Sequence, residues 1–400
     1  MPVATISYRD VALLALAQAM LMTGTSLMIS TSALVGSTLA ADPSLATIPL
    51  GLQFLAMTLS TIPASLFMGR HGRRAGFLVG VGLGLAGTLL AGYAVMQGSF
   101  LLFCAASVLL GSFNATGQFY RFAAAEVASE VMRARAIGFV LAGGIMAAFL
   151  GPNLAAWTRN LAGPEFAASY LILSGLYLVG LFAILPLRIP KPVPANLRAA
   201  GRPLQEIVAS PLFAIAVLAA AVGYGVMNLL MVATPLSMQG HHHSFEDAAF
   251  VIQWHVVAMF LPSFFTGDLI RRYGIYRILV IGVLLNLACV AVNFHGHGVV
   301  NYWLALVLLG VGWNFLFIGG TTLLTATHRP EEKARSQALN DFIVFGTVTM
   351  TALGSGALLV TLGWVVINAM VVPFLLLVLV AVFLLRARAE SPGSGPRPHG

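Results

Sequence analysis

Apolar runs of about 20 residues recur along nearly the whole chain, separated by short clusters of Gly, Pro, Asn and charged residues. At 1.5 Å rise per residue, that length matches the hydrocarbon thickness of a bilayer, about 30 Å. The pattern predicts twelve membrane-spanning helices, at 10–36, 45–68, 75–96, 99–127, 135–158, 166–187, 208–236, 246–268, 276–296, 299–326, 336–361 and 363–386. A membrane β-barrel would instead show alternating segments of about 10 residues, and the chain has no such alternation.

Composition supports this reading. Of 400 residues, 59% are hydrophobic and only 8% charged, with a mean hydropathy of +0.92, whereas soluble domains carry about a quarter charged residues. An all-α polytopic membrane protein follows, with the lipid bilayer as its surroundings. The first run is too long for a signal peptide and lacks a convincing cleavage site, so it is expected to be a retained helix. Cys104 and Cys289 fall inside apolar segments and read as small packing residues.

The net charge of +8 does not imply a nucleic-acid partner, because the basic residues form no single patch. Arg9, then Arg70, Arg73 and Arg74, then Arg133 and Arg135, then Arg188, Lys191, Arg198 and Arg202 fall in loops on one side. The second half repeats this with Arg271, Arg272 and Arg277, then Arg329, Lys333 and Arg335, then Arg386, Arg388 and Arg397. Arg159 is the one Lys or Arg in the loops of the opposite side. By the positive-inside rule both termini are expected in the cytoplasm, here of a bacterial inner membrane.

The chain is also internally repeated. The basic turn Gly267-Asp268-Leu269-Ile270-Arg271-Arg272-Tyr273-Gly274 has a blurred copy 202 positions earlier, in Ser65 to Arg74. Asn114 and Asn314, and Arg133-Ala134-Arg135 and Lys333-Ala334-Arg335, match at a shift of 200. Two pseudo-symmetric six-helix halves in the same orientation are predicted, at 1–187 and 208–388, joined by a Pro-rich basic cytoplasmic linker at 188–207. Residues 389–400 read as a disordered tail.

These turns resemble those of the major facilitator superfamily of secondary transporters, whose pattern after the second helix is Gly-x-Leu-x-Asp-Arg-x-Gly-Arg-Arg. Arg70, Gly72, Arg73 and Arg74 match in the first copy, and Gly267, Leu269, Arg272 and Gly274 in the second. The acid of the pattern is missing twice, replaced by Gly69 and Arg271. The resemblance implies that these turns gate the transport path and that an acid elsewhere completes the charge relay. Asp268 and Asp341 are the candidates, with Arg70 expected to pair with Asp341; the alternative is that Asp341 only stabilises a helix N-terminal region. Gly151-Pro152 partly matches the fifth-helix signature of proton-driven exporters, either as an interface that seals the path or as an ordinary proline kink. The fourth-helix Arg of the exporter pattern is absent, since Phe113 and Thr116 precede Gly117.

Polar side chains at membrane depth are costly and mark interiors or paths. The resemblance implies that segments 1, 4, 7 and 10 surround a central cavity. Their polar and aromatic residues include Gln18, Thr25, Asn114, Gln118, Arg121, Tyr224, Asn228, Trp313 and Asn314, a set suited to an amphipathic organic solute. Each could equally make a bond between helices, and Arg121 could snorkel to the surface. His255, near the middle of segment 8, is the one mid-membrane side chain that titrates near neutrality, so it and Asp341 are the candidates for proton coupling, with a structural histidine as the other reading. The run His241-His242-His243 does not by spacing alone close a coordination shell, so no metal and no cofactor are expected. No catalytic residues are expected either, for no paired intramembrane carboxylates, zinc-protease motif or nucleotide loop occurs. The chain reads as a monomeric secondary transporter, by alternating access, of a small organic solute, with proton-linked efflux (an antiporter) ahead of import of a metabolite or vitamin-like compound. A non-transporting sensor or assembly protein on the same fold is the third reading.

Overall fold

The computed structural model describes residues 8–128, 133–189, 203–329 and 332–389. Most of the predicted linker and tail, 190–202 and 390–400, lies outside the described residues. The helices are α1 (Tyr8–Leu39), α2 (Ile48–His71), α3 (Arg73–Met96), α4 (Phe100–Gly117), α5 (Tyr120–Val127), α6 (Arg133–Thr158) and α7 (Ala167–Ile184). They continue with α8 (Leu204–Val208), α9 (Pro211–Gly240), α10 (Phe245–Phe260), α11 (Ser263–Tyr273), α12 (Ile275–His295), α13 (Val299–Thr325) and α14 (Lys333–Ala389). Among the described residues ten helical stretches are long and apolar enough to cross a membrane, or eleven if the pair α10–α11, bent by 45°, counts as one span. Helix α14 is two helices meeting at Gly363 (φ 81°, ψ 168°), which is consistent with two separate segments there.

Where the chain turns, the local sequence accounts for it. Gly72 (φ 89°) and Gly274 (φ 82°) each end one helix and begin the next in the left-handed region, where a side chain would clash and glycine does not. The repeat seen in sequence is therefore a repeat of backbone conformation. Two predicted segments are broken. Segment 4 becomes α4 and α5, interrupted at Gln118–Phe119, and segment 8 becomes α10 and α11, interrupted at Leu261–Pro262. Pro262 has no N–H to give and its ring crowds the preceding turn, which explains the second break. The short α8 begins inside the predicted linker and ends one residue past it, started by Pro203 with Glu206 in its first turn.

The described chain forms two compact units. The first holds α1 to α7 together with 232–256 and 352–361; the second holds 203–231, 257–329, 332–351 and 362–389. In the first unit α1 lies along α6, α4 is flanked by α2 and α3, and α7 packs on α3. The α1–α6 approach is close at Gly151, where a Cβ would stand 2.6 Å from Ser26 Cβ and 2.7 Å from the Thr23 carbonyl oxygen. Helix association in lipid relies on such small residues, because the lipid tails supply no hydrophobic drive. In the second unit α12 lies along α13, and α11 packs on both.

Candidate functional site

The second unit gathers an aromatic cluster around Tyr224 of α9. Trp313 and Phe317, one turn apart on α13, stack at 5.2 Å with 9° between their planes. Tyr224 meets both edge-on, at 5.2 and 5.3 Å, and Phe345 of α14 closes a further side at 6.2 Å. One turn beyond Tyr224, the buried Asn228 donates through Nδ2 to the Val348 carbonyl (3.0 Å) and Thr351 Oγ1 (3.1 Å). Its Oδ1 and the indole Nε1 of Trp313 are buried with no hydrogen-bond partner among the described residues. A buried acceptor and a buried donor thus lie beside flat aromatic faces in this cluster.

Asn314, next to Trp313, has another role. Its Nδ2 donates to the Met259 carbonyl and to Ser263 Oγ, both at 2.7 Å, and its Oδ1 lies 2.6 Å from the Thr266 hydroxyl. All of these belong to the α10–α11 break. The amide thus gives a partner to the Met259 carbonyl at the break and ties α13 to both sides of it.

In the first unit, the Thr25 hydroxyl is shared between the Leu21 carbonyl (3.2 Å) and Asn114 Oδ1 (3.3 Å), which joins α1 to α4. Gln18 lies two turns earlier on α1, half-buried, with its Oε1 enclosed and unpartnered among the described residues. Gln118 is half-buried at the end of α4. Because of the break that follows, Arg121 does not continue the Asn114–Gln118 face of one straight helix. It is exposed, with its guanidinium 4.9 Å over the Phe122 ring.

At the first basic turn, Arg73 makes a two-pronged ion pair with Glu126 of α5, Nε to Oε2 at 2.6 Å and Nη2 to Oε1 at 2.5 Å. An acid therefore does stand beside this turn, supplied by the helix after the α4 break. Sequence reasoning passed over it, although Glu126 lies on the basic side between Arg121 and Arg133. Arg70 and Arg74 are exposed. In the second turn Asp268 pairs with Arg271, three residues on, and Gly267, Arg272 and Gly274 are exposed. Asp341 accepts from Asn340 Nδ2 at 3.0 Å. His255 is fully buried on α10, two residues beyond Gln253, whose Oε1 accepts from Asn153 Nδ2 of α6 at 2.6 Å. Gly151, beside the buried Pro152, faces α1 within its own unit, so the small residue of that pair serves helix packing there. Among the described residues no three His, Cys, Asp or Glu side chains gather as metal ligands, His241–His243 included.

Residues 14–348 match the family model of the Major Facilitator Superfamily. The chain is 42% identical over 384 residues to the riboflavin transporter RfnT of Brucella anthropi, covering 95% of this chain and 96% of that protein. It is 29% identical over 343 residues to the uncharacterized MFS-type transporter YddS of Bacillus subtilis, covering 79% and 77% of the two chains. In fold it is similar to the crystal structure of a bacterial homologue of the human lysosomal transporter Spinster, in an inward-facing and occupied conformation, with a TM-score of 0.70 at 18% identity. That match covers 96% of this chain and 98% of the other.

Proposed function

Because the chain belongs to the Major Facilitator Superfamily and is a membrane transporter, we propose that it imports riboflavin, or a flavin of the same ring system, by alternating access. The observation that carries this reading is the 42% identity to a riboflavin transporter along almost the full length of both chains. The chemistry of the second unit supports it. The flavin ring is flat, apolar on both faces, and edged by alternating carbonyl and N–H groups. Stacked Trp313 and Phe317 with edge-on Tyr224 suit the faces. Trp313 Nε1 and Asn228 Oδ1 suit the edge, one donating to a ring carbonyl and the other accepting from a ring N–H.

Efflux draws no comparable support, since Gly151, the core of the exporter-like pair, is accounted for by its packing on α1. We assign His255 and Asp341 to proton coupling, the basic loops to the cytoplasmic face, and the membrane to the bacterial plasma membrane. The test is uptake of radiolabelled riboflavin by proteoliposomes holding the purified chain. Saturable uptake, competed by unlabelled flavins, is expected, and Trp313→Ala should raise the half-saturation concentration about tenfold, the equivalent of about 1.4 kcal/mol. Absence of uptake from a chain that transports another solute overturns the flavin assignment; release of preloaded riboflavin without uptake overturns the direction.

A further inference from the structure

The end of the first unit remote from the basic turns holds a charged cluster that the solute reading does not use. Arg159 stands just after α6 and is the one Lys or Arg in the loops of that side. Its guanidinium pairs with Glu165 in its own loop and, through Nη1 at 3.4 Å, with Glu246 in the first turn of α10. It also lies 5.8 Å from the ring centre of Phe166 and 5.3 Å from that of Phe245, and these rings meet each other edge to face at 4.9 Å. The loop is shaped for this contact. The Phe166 N–H returns to the Arg159 carbonyl at 2.8 Å, and Phe166 itself takes φ 67°, a left-handed conformation unusual for a bulky residue. Beneath the cluster is a cavity of about 330 Å³ whose lining includes Val35, Thr38, Pro235 and His243.

Loop 159–166 belongs to the first half of the sequence, and Phe245 and Glu246 belong to the second. Further links between those halves within this unit are neutral among the described residues: Phe149 meets Trp254 edge to face at 6.3 Å, and Thr47 Oγ1 lies 3.5 Å from the Leu353 carbonyl. Asn153 bonds Gln253, and the Gly356 N–H donates to Thr47 Oγ1 at 3.0 Å. Alternating access requires such links to part and re-form. An ion pair and a ring contact at a part-exposed site suit that duty, because water takes over the charges when they separate. Glu165 makes the separation easier still, since it travels with Arg159 and leaves the guanidinium paired. The planar guanidinium can serve two carboxylates and two rings at once, which a lysine ammonium cannot.

We propose that Arg159 is a gating residue: it latches loop 159–166 to the start of α10, and its release from Glu246 and Phe245 widens the cavity and uncovers its buried wall at Val35. Glu165 is then its resident counter-ion and Glu246 the exchangeable one. The proposal holds for any solute, so its test does not depend on riboflavin.

Val35 is 2% exposed and lines the cavity, which makes it a reporter of opening. In a chain carrying Cys104→Ala, Cys289→Ala and Val35→Cys, purified into lipid nanodiscs, the labelling rate by a fluorescent maleimide is measured. Arg159→Ala and Glu246→Gln should each raise that rate about tenfold by shifting the population toward the open state, and Glu165→Gln by less than about threefold. The exchanged pair Arg159→Glu with Glu246→Arg should return the rate toward that of the parent. Unchanged labelling in Glu246→Gln, whose side chain is largely exposed and leaves the core untouched, overturns the latch even if Arg159→Ala fails to fold. Equal acceleration by Glu165→Gln and Glu246→Gln overturns the division of roles between the two acids.

Discussion

Asn114 and Asn314 stand 200 positions apart in matching places of the repeat, yet their amides do different work. Asn114 meets one hydroxyl, that of Thr25, at 3.3 Å. Asn314 bonds a carbonyl and two hydroxyls of the α10–α11 break. The difference follows from Pro262, because the proline opens the helix there and α2 has Ser60 at the repeat-related position, bonded instead to Ser112. Replacing Asn314 by Leu should orphan buried polar groups at a cost of about 1–3 kcal/mol each. A clear drop in melting temperature in detergent is expected, with the affinity of the folded fraction for the proposed flavin solute unchanged. A loss of affinity without a loss of stability would return Asn314 to the solute. Nothing in the local sequence separates the two asparagines, since each is an amide in an apolar segment beside a Trp or Phe.

At the scale of the element, the long apolar period was legible and the interruptions were not. The hydrophobic pattern runs on through Gln118–Phe119, so α4 and α5 read as one helix, and the turn that brings Glu126 to Arg73 stays hidden. Glycines show the same limit, because the sequence cannot tell which of them meet a neighbour. A Cβ at Gly151 would press on the α1 backbone, while at Gly175 of α7 it would meet nothing within 4 Å. Gly151→Ala should therefore destabilise by about 1–3 kcal/mol through overpacking. Gly175→Ala should be neutral or stabilising by roughly 0.5–1 kcal/mol, from reduced backbone freedom. Thermal unfolding of the two variants side by side checks both, and equal melting temperatures would refute the packing argument.

Across the whole molecule, the second half of the sequence contributes to both compact units, with α9, α10 and α14 each running through the two. His255 lies on such a helix, on the stretch that belongs to the first unit and close in sequence to the Asn153–Gln253 link. A side chain that changes charge there would act on a contact between segments from different halves. If the chain takes up riboflavin with protons as proposed, replacing His255 by Gln should leave riboflavin binding intact and abolish any stimulation of uptake by an inward proton gradient. Stimulation undiminished in the variant would leave His255 a packing residue. The fold class and the family were accessible before any coordinates. The bonding partners of the candidate residues were not.

What the sequence determined by itself are properties read along a line. Twenty apolar residues specify a crossing wherever they occur, and Gly72 and Gly274 specify a turn because only glycine takes their backbone angles without strain. The tertiary structure alone decided which side chains meet across helices. Arg73 finds Glu126 at a separation of 53 residues, Arg159 finds Glu246 at 87, and Tyr224 finds Phe345 on another helix. Those meetings depend on how each helix is rotated, broken and crossed by its neighbours. In a bilayer every helix is apolar nearly all round, so little in the pattern announces which face turns inward.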